Sequence, residues 1–419
     1  MRIAFSGDWH LGAQGSRLDP ETGLNARLVD RARCARFVAE EAVRQGAEIL
    51  LHGGDVFDSC RPTPTEARLA RNIFARAAEV DLPVIVLLGN HDAARSPAEK
   101  DALDLLAGVG DRADGLFLSV VDRPRVLYYR EVQTEQGNYL RPCDGQAAEL
   151  QIACVPWPNK QLLLAGDEYR RLSPGDLNQV VREKMLEIAQ GLADSRLPGV
   201  PSILLGHFSL DLAEAGGMSR LMVLGGDWTL PMAEMQALGF DAVLAAHIHK
   251  PQAWMDGGGR RLVVYCGSPE AMGFGEEGEE KSFCLLEVAG AGPAANVAFQ
   301  RIATPFTRFV TIDIEGPRVE LFTEEVGGAS IRVRLPEAMA HEAAAITKTL
   351  EEAGANEVRI EVVRAEAAPH RATEVSEQMA VAEAIQAWLK QRPDLEPLTP
   401  DVMAEVQRLE ADTGQGAAI

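Results

Sequence analysis

The chain reads as an α/β protein on three observations. Short apolar runs alternate with amphipathic stretches through the N-terminal half. Most of those runs end in Gly, Asp, Asn or His. A smaller strand–helix–strand block follows Pro305. The strand candidates are Arg2–Ser6, Glu48–His52, Pro83–Leu88, Gln151–Val155, Ser202–Leu205, Asp241–Ala246 and Leu262–Cys266, short enough and apolar enough for buried strands. Helices are expected near Leu24–Gln45, Pro64–Ala78 and Asp176–Leu192. The first places Leu, Val and Phe three and four residues apart and stops at Gly46, and Asp176 is the expected N-cap of the third. Such an alternation puts a site in the loops beyond the strand ends.

After Pro305 the strand candidates are Phe309–Ile314, Ile331–Leu335 and Val358–Val363, with the Ala-rich stretch Glu337–Ala353 as a helix between the last two. A break at Ala365–Thr373 precedes two tail helices, Val375–Lys390 and Pro400–Ala411, and Gly414–Ile419 is expected to fray. The expected domains are therefore residues 1–304, 305–365 and 366–419. Val381, Ile385, Trp388 and Leu389, then Val402, Val406 and Leu409, form apolar stripes that need a surface to bury against. This protein's own core could supply it, or a partner could.

Composition excludes several classes. The 419 residues are 46% hydrophobic and 25% charged, which is globular rather than disordered or low-complexity. With 41 Lys+Arg against 62 Asp+Glu the net charge is −21, so a basic nucleic-acid coat is excluded. The acid is unevenly spread: residues 1–110 carry a net −3 and residues 317–419 a net −9. No apolar run is long enough to cross a membrane, and no signal peptide pattern opens the chain. Six scattered cysteines without a Cys-x-x-Cys pair read as reduced thiols, so a cytoplasmic location is expected.

Five of the eight histidines stand at strand ends. The sequences there are Gly7-Asp8-Trp9-His10, Gly53-Gly54-Asp55-Val56-Phe57-Asp58, Gly89-Asn90-His91-Asp92, Gly206-His207-Phe208 and His247-Ile248-His249. Residues two apart in extended chain point the same way. Asp8 and His10 can thus converge on one ion, and His247 and His249 can approach a shared site. Imidazole, carboxylate and amide donors suit Mn²⁺, Fe²⁺ or Zn²⁺. Two adjacent ions need a bridging anion, for which Asp55 is the natural candidate. One such loop is usually a turn; five of them point to a metal centre. His52 reads as core, and His341 and His370 as surface.

The order Asp-x-His, Gly-Asp-x-x-Asp, Gly-Asn-His-Asp, Gly-His and His-x-His resembles the calcineurin-like metallophosphoesterase superfamily. Within it, the chain is similar to the SbcD-type nuclease subunits of bacterial DNA repair complexes. The likeness extends to Asp8-Trp9-His10-Leu11-Gly12, Gly206-His207-Phe208-Ser209 and Cys266-Gly267-Ser268-Pro269, and departs at Ala246, where the family usually has Gly. The resemblance implies a four-layer αββα sandwich with a small α+β capping domain and C-terminal helices. It implies that Asp8, His10 and His249 hold one ion and Asn90, His207 and His247 the other, with Asp55 bridging. His91 would face the scissile phosphate as a catalytic non-ligand, and Asp92 would either orient His91 or cap the next turn. The implied cofactors are two divalent ions, Mn²⁺ foremost, with Mg²⁺, Fe²⁺ or Zn²⁺ as alternatives. The implied partners are DNA, an SbcC-like coiled-coil ATPase and a second copy of the chain, for which Pro64–Ala78 could supply a dimer face. A phosphatase or phosphodiesterase acting on a non-DNA substrate is the alternative.

No Gly-x-Ser-x-Gly elbow or P-loop is present. The stretch Gly275–Ser282, with Glu276, Glu277, Glu279 and Glu280, reads as a solvated loop. Arg17, Arg27 and Arg61, in or near loops that follow ligand residues, are the candidate contacts to DNA phosphates. The region 113–145, with Arg123, Arg125, Arg130 and Tyr128-Tyr129, reads either as a DNA-facing segment or as a hairpin.

Overall fold

The computed structural model describes residues 1–94, 96, 99–110, 117–134, 137–158, 172–214, 228–256, 261–290, 296–314, 326–363, 381–390, 395 and 398–413. The chain begins with β1 (Arg2–Ser6), α1 (Ala26–Arg44), β2 (Ile49–His52), α2 (Pro64–Glu79), β3 (Val84–Leu87) and β4 (Leu118–Val121). Next come β5 (Arg125–Thr134), β6 (Gly137–Pro142), β7 (Leu150–Val155), α3 (Pro174–Asp194), β8 (Ser202–His207), β9 (Ser209–Leu210), β10 (Thr229–Leu230), α4 (Met232–Ala237) and β11 (Ala242–Ala246). Then follow β12 (Gln252–Met255), β13 (Leu262–Tyr265), β14 (Ser282–Ala289), β15 (Asn296–Ala303), β16 (Phe309–Asp313), β17 (Ser330–Pro336), α5 (Ala343–Glu352), β18 (Glu357–Val363), α6 (Val381–Lys390) and α7 (Thr399–Thr413).

Two mixed sheets carry the architecture. One has the order β15-β14-β1-β2-β3-β4, the other β12-β13-β11-β8-β7-β5-β6. Strands β1 to β4 run parallel, with β14 antiparallel to β1. In the second sheet β7, β8, β11 and β13 run parallel. The period of two along each strand sorts side chains between layers. Ile3, Phe5, Ile49, Leu51, Ile85 and Leu87 share one buried cluster with Ile152, Cys154, Ile203, Leu205 and Leu244, so the two sheets face each other. Ala4, Leu50, Val84 and Val86 turn instead towards Leu28, Ala35 and Val38 of α1 and Ile73 and Phe74 of α2. Ala153, Leu204 and Val243 turn towards Val181 and Met185 of α3 and Met235 of α4. The result is the expected α/β/β/α layering, in which each fully buried Leu or Ile contributes about 1.5–3 kcal/mol.

Local chemistry explains the helix ends. Asn25 caps α1 by accepting from the Leu28 amide, and Gly46 follows it at φ 72°. Thr63 and Glu66 form a reciprocal capping box at α2, with Pro64 in the first turn. Asp176 is not the N-cap of α3. Ser173 takes that place, accepting from the Asp176 amide, and Asp176 lies in the first turn. The apolar face of α2 (Ala70, Ile73, Phe74, Ala77) is buried in the core. The 125–142 region is the hairpin β5–β6, with Tyr129 2% exposed. All six cysteines are free and five are buried. Among the described residues, no helix is long and apolar enough to cross a membrane.

The chain forms two compact units. One comprises Met1–Ile312, Leu321–Arg332 and Leu350–Arg359; the other comprises Asp313–Glu320, Val333–Thr349 and Ile360–Ile419. Strands β16, β17 and β18 form a three-stranded sheet in that order, with Ile331, Val333 and Leu335 alternately buried. The expected helix Glu337–Ala353 starts as a 3₁₀ turn over Glu337–Glu342 and becomes α-helical only from Ala343. In the second unit α6 packs against α7. Ala384, Ala387, Leu389 and Val406 are buried, while Trp388 is 40% and Val402 37% exposed. His370 and the first part of the expected helix Val375–Lys390 lie outside the described residues.

Candidate metal centre

The loops that leave the parallel strands converge within the first unit. The Asp8 amide donates to the Gly54 carbonyl at 2.9 Å, the His10 amide to Asp55 at 3.0 Å and the Leu11 amide to Val56 at 2.8 Å. The loops after β1 and β2 are thereby laced together. The His247 amide donates to the Asp8 carboxylate at 3.0 Å, which ties in the loop after β11. Five non-glycine residues among those described have positive φ, and four of them are Asp8 (54°), His10 (46°), Asp55 (56°) and His247 (95°). Side chains held in this sparsely populated region cluster at functional sites, because the surrounding structure must over-determine them.

The donor atoms of Asp8, His10 and His249 lie within 4.8 Å of one another, as do those of Asp55, His207 and His247, and those of His10, Asp55 and His91. His10 Nε2 and His249 Nε2 face each other at 3.1 Å. Asn90 Oδ1 lies 2.9 Å from both His207 Nε2 and His247 Nδ1. Asp55 Oδ2 sits between the two sets, 3.6 Å from His10 Nε2 and 3.5 Å from His207 Nε2. Ligands about 2.1 Å from an octahedral ion are themselves about 3 Å apart, so this spacing and this mix of N and O donors fit divalent ions. All seven residues that the sequence singled out as ligands are brought together here.

The surrounding groups aim those donors. The His207 Nδ1–H donates to the Gly53 carbonyl at 2.8 Å, which leaves Nε2 facing Asp55 and Asn90. Gly54 is at φ 109°, and a Cβ there would meet His207 Nδ1 at 2.6 Å. A Cβ on Gly89 would meet Asp55 Oδ1 at 2.1 Å and the Asp55 amide nitrogen at 2.2 Å. Ala246, the departure from the family pattern, fits because its methyl occupies the space that a Cβ on Gly53 would enter at 2.5 Å or one on Gly7 at 2.9 Å. The β8–β11 ladder runs in regular register through Ala246.

The electrostatics favour a cation. Burial alone would raise Asp55, but the imidazoles of His207, His91 and His10 outweigh it and hold the carboxyl well below its usual range. Burial disfavours a charged His207 ring, yet Asp55 and Asp8 raise it to about 9. Those carboxylates therefore call for positive charge at that nitrogen, which a metal ion also supplies. Burial lowers His10 despite Asp58 and Asp55. His52 is core: it is fully buried, edge-on to Trp9 at 4.4 Å, and burial lowers it to about 3.

His91 stands beside the His10 ring at 4.6 Å, with its amide on Asp55 Oδ1 at 2.8 Å. Its Nδ1–H donates to the Asp58 carbonyl at 3.0 Å. That carbonyl, not Asp92, fixes the His91 ring. Asp92 is fully buried and accepts from the amides of Phe57 at 2.9 Å, Val56 at 3.2 Å and Gly89 at 3.3 Å. Its carboxylate braces the two ligand loops. Burial and the Asp55 charge raise it to about 7, against the pull of those amides.

The three arginines expected on DNA divide. Arg27 is 7% exposed and locked to Asp30 at 2.9 Å, Glu270 at 3.2 Å and the Ala271 carbonyl, so it cannot reach a phosphate. Arg61 is an exposed side chain paired with Glu99. Arg17 is half-buried next to the start of α1. His341 is exposed, as expected.

Four residues that sequence reasoning gave no role also belong to the site. Asp58 faces His10 Nδ1 and Arg31, each at 3.5 Å; against the upward push of burial these contacts bring it down to about 2. Trp157 packs on the rings of His247 at 5.2 Å and His207 at 5.9 Å. Glu276 and Lys281 come from the stretch read as a solvated loop, yet they are 2% and 0% exposed. Glu276 accepts from His249 Nδ1 at 2.9 Å and from Lys281 Nζ at 2.7 Å. Asp58, within Gly-Asp-x-x-Asp, carried a signal in its motif, and Lys281 belongs to the Lys281-Ser282 strand start that shares in the family likeness; Trp157 and Glu276 carried none.

The SbcD subunit of the SbcCD nuclease of Escherichia coli (strain K12) is 25% identical over 291 residues, 68% of this chain and 64% of that protein. The chain thus spans slightly less than two thirds of that relative. The corresponding SbcD protein of Bacillus subtilis (strain 168) is 23% identical over 72% of this chain and 69% of its own length. The DNA double-strand break repair protein Mre11 of Methanosarcina acetivorans is 30% identical over 110 residues, 26% of this chain and 16% of its own length. Among solved structures, a dimetal phosphatase from Danio rerio superimposes with a TM-score of 0.36 at 10% identity, covering 71% of this chain and 98% of its own. The calcineurin-like phosphoesterase profile matches residues 1–251, more than half the sequence, and the chain belongs to that family.

Proposed function

We propose that the chain is a metal-dependent DNA exonuclease and endonuclease subunit that hydrolyses phosphodiester bonds with Mn²⁺ as the foremost metal. The observation that carries this reading is the convergence of donor atoms from five strand ends into two adjoining sets with Asp55 between them. The relatives named as nuclease subunits and break-repair proteins direct the substrate towards DNA rather than a phosphoprotein.

Asp8, His10 and His249 would hold the first ion, Asn90, His207 and His247 the second, and Asp55 both. Two divalent ions held there would supply an activated water and neutralise charge on the phosphoryl oxygens. The chain's own residues prepare that chemistry. The His91 amide pins Asp55 Oδ1, which leaves Oδ2 towards both donor sets. The Asp58 carbonyl takes His91 Nδ1–H, which reserves Nε2 for the leaving oxygen or the charge that develops there. Asp92 holds the loops that carry Asp55 and His91 in register.

On this reading residues 1–304 form the nuclease domain, 305–365 a capping domain and 366–419 a linker with partner-binding helices. Exposed Trp388 and Val402 suit docking of a coiled-coil ATPase, and the chain acts as a dimer within that assembly. The test is a nuclease assay of the purified full chain on linear double-stranded, hairpin and single-stranded DNA in Mn²⁺ and in Mg²⁺. DNA cutting in Mn²⁺ is expected. Hydrolysis of a simple phosphodiester without cutting of any DNA would move the chain to the alternative, a phosphodiesterase with a non-DNA substrate.

A further inference from the structure

His207 and His249, ligand candidates of different donor sets, are aimed differently, and His10 Nδ1 of the first set also faces a carboxylate, that of Asp58, at 3.5 Å. His207 is aimed by a backbone carbonyl, that of Gly53. His249 is aimed by a carboxylate, and that carboxylate is itself part of a buried ion pair. Glu276 Oε1 accepts from His249 Nδ1–H at 2.9 Å. Glu276 Oε2 accepts from Lys281 Nζ at 2.7 Å and from the Met272 amide at 2.9 Å. Lys281 Nζ also donates to the His249 backbone carbonyl at 3.3 Å and to Glu279 at 2.9 Å. Neither charged side chain reaches solvent: Glu276 is 2% and Lys281 0% exposed.

A buried ion pair is weak evidence for stability, because desolvation opposes the attraction between the charges. Its retention here calls for another reason, and the geometry supplies one. Lys281 directly precedes β14, which pairs with β1 so that Cys284 lies opposite Phe5. The Lys281 carbonyl accepts from the Thr304 amide at 3.0 Å, just beyond the pairing of β14 with β15. The lysine is thus fixed to the sheet, Glu276 is fixed to the lysine, and the His249 ring is fixed to Glu276. With Nδ1–H committed to the carboxylate, Nε2 is the nitrogen left for the metal, and the carboxylate makes that nitrogen a stronger donor.

We propose that Glu276 and Lys281 are positioning residues that orient and strengthen His249 as a ligand of the first ion, so that the two metal sites are unequal and this pair tunes only one of them. The inference rests on the two-metal reading above. The Gly53 carbonyl cannot do the same for the second site, since a neutral amide oxygen donates less electron density through the ring than a carboxylate does.

The test is calorimetric titration of the full chain with Mn²⁺, for the wild type, Glu276→Gln and the double variant E276Q/K281M. The double variant removes both charges at similar volume, so it keeps the question open to test should the single variant leave an unpaired lysine and fail to fold. The expected wild-type result is two binding steps. In the variants one step weakens about 10- to 100-fold, as is typical when an outer partner of a metal ligand is lost, and the other step stays within twofold. A general structural lesion would weaken both steps, and that outcome overturns the proposal. So do two unchanged steps. Absence of Mn²⁺ binding by the wild type would instead overturn the metal reading on which the inference stands.

Discussion

Asp8, His10 and Asp55 have positive φ in loops laced by amide–carbonyl links, and His247 has it where its amide donates to the Asp8 carboxylate, with glycines at closely approached positions such as Gly54 and Gly89. The sharpest case is Gly89. Its missing Cβ makes room for the Asp55 carboxylate and amide, so Gly89→Ala must push backbone against backbone. Gly89→Ala is expected to cost about 3 kcal/mol, the upper range for overpacking, and to reduce Mn²⁺ binding, read by denaturant melts and metal titration. His91→Ala is expected to lower DNA cutting by about 10²- to 10⁴-fold, typical of a lost general acid or base, with Mn²⁺ binding retained; full cutting by this variant removes His91 from catalysis. The seven ligand candidates were legible because each belongs to a short motif at the end of an apolar run. Asp92 was legible as important but not in its role, since its partners are amides of Val56 and Phe57 some 35 residues away in sequence. Arg27 was misread because the carboxylate that captures it, Glu270, is 243 residues distant. Glu276 and Lys281 were misread because a glutamate-rich stretch looks solvated until its partner His249 is in view.

At the scale of elements, strands buried on both faces were the easiest to read. Runs such as Ile49–His52 and Ser202–His207 are apolar apart from their end residues and buried throughout. The outer strands β5, β6, β12 and β15 mix polar and apolar residues, since they lie at or near the sheet edges, and they left a weaker pattern. Helix α1 is anchored through Arg27, which links it to Glu270 in the loop after β13. Burial raises Glu270, so losing its cation leaves an uncompensated acid. Arg27→Met is expected to destabilise the protein by about 3–5 kcal/mol, the range for breaking a buried pair, measured by urea unfolding. The tail helices yielded their apolar stripes but not their covering surface. Part of the stripe is used between α6 and α7, and Trp388 remains 40% exposed. Removing residues from Val375 onward is expected to prevent co-purification with a coiled-coil ATPase while simple phosphodiester hydrolysis in Mn²⁺ persists. An ATPase that still binds the shortened chain contradicts that role for the tail.

For the molecule as a whole, three buried clusters define the layers, and the facing sheets bring parallel strand ends to one site. The net charge of −21 does not oppose a polyanionic substrate. Two of the acids, Asp8 and Asp55, belong to the candidate metal-holding groups, and ions bound there would reverse the sign of the local field. The acidity is densest towards the C-terminal part, where residues 317–419 carry a net −9. On the proposed function, DNA affinity would depend on the metals and on a partner more than on a basic surface. The most direct measurement is a single Mn²⁺ titration of the purified chain that follows bound metal and hydrolysis of a simple phosphodiester together. The account predicts two ions per chain, hydrolysis that rises as the second site fills, and loss of both in Asp55→Asn. One ion per chain, or hydrolysis that survives complete removal of metal by a chelator, would contradict it.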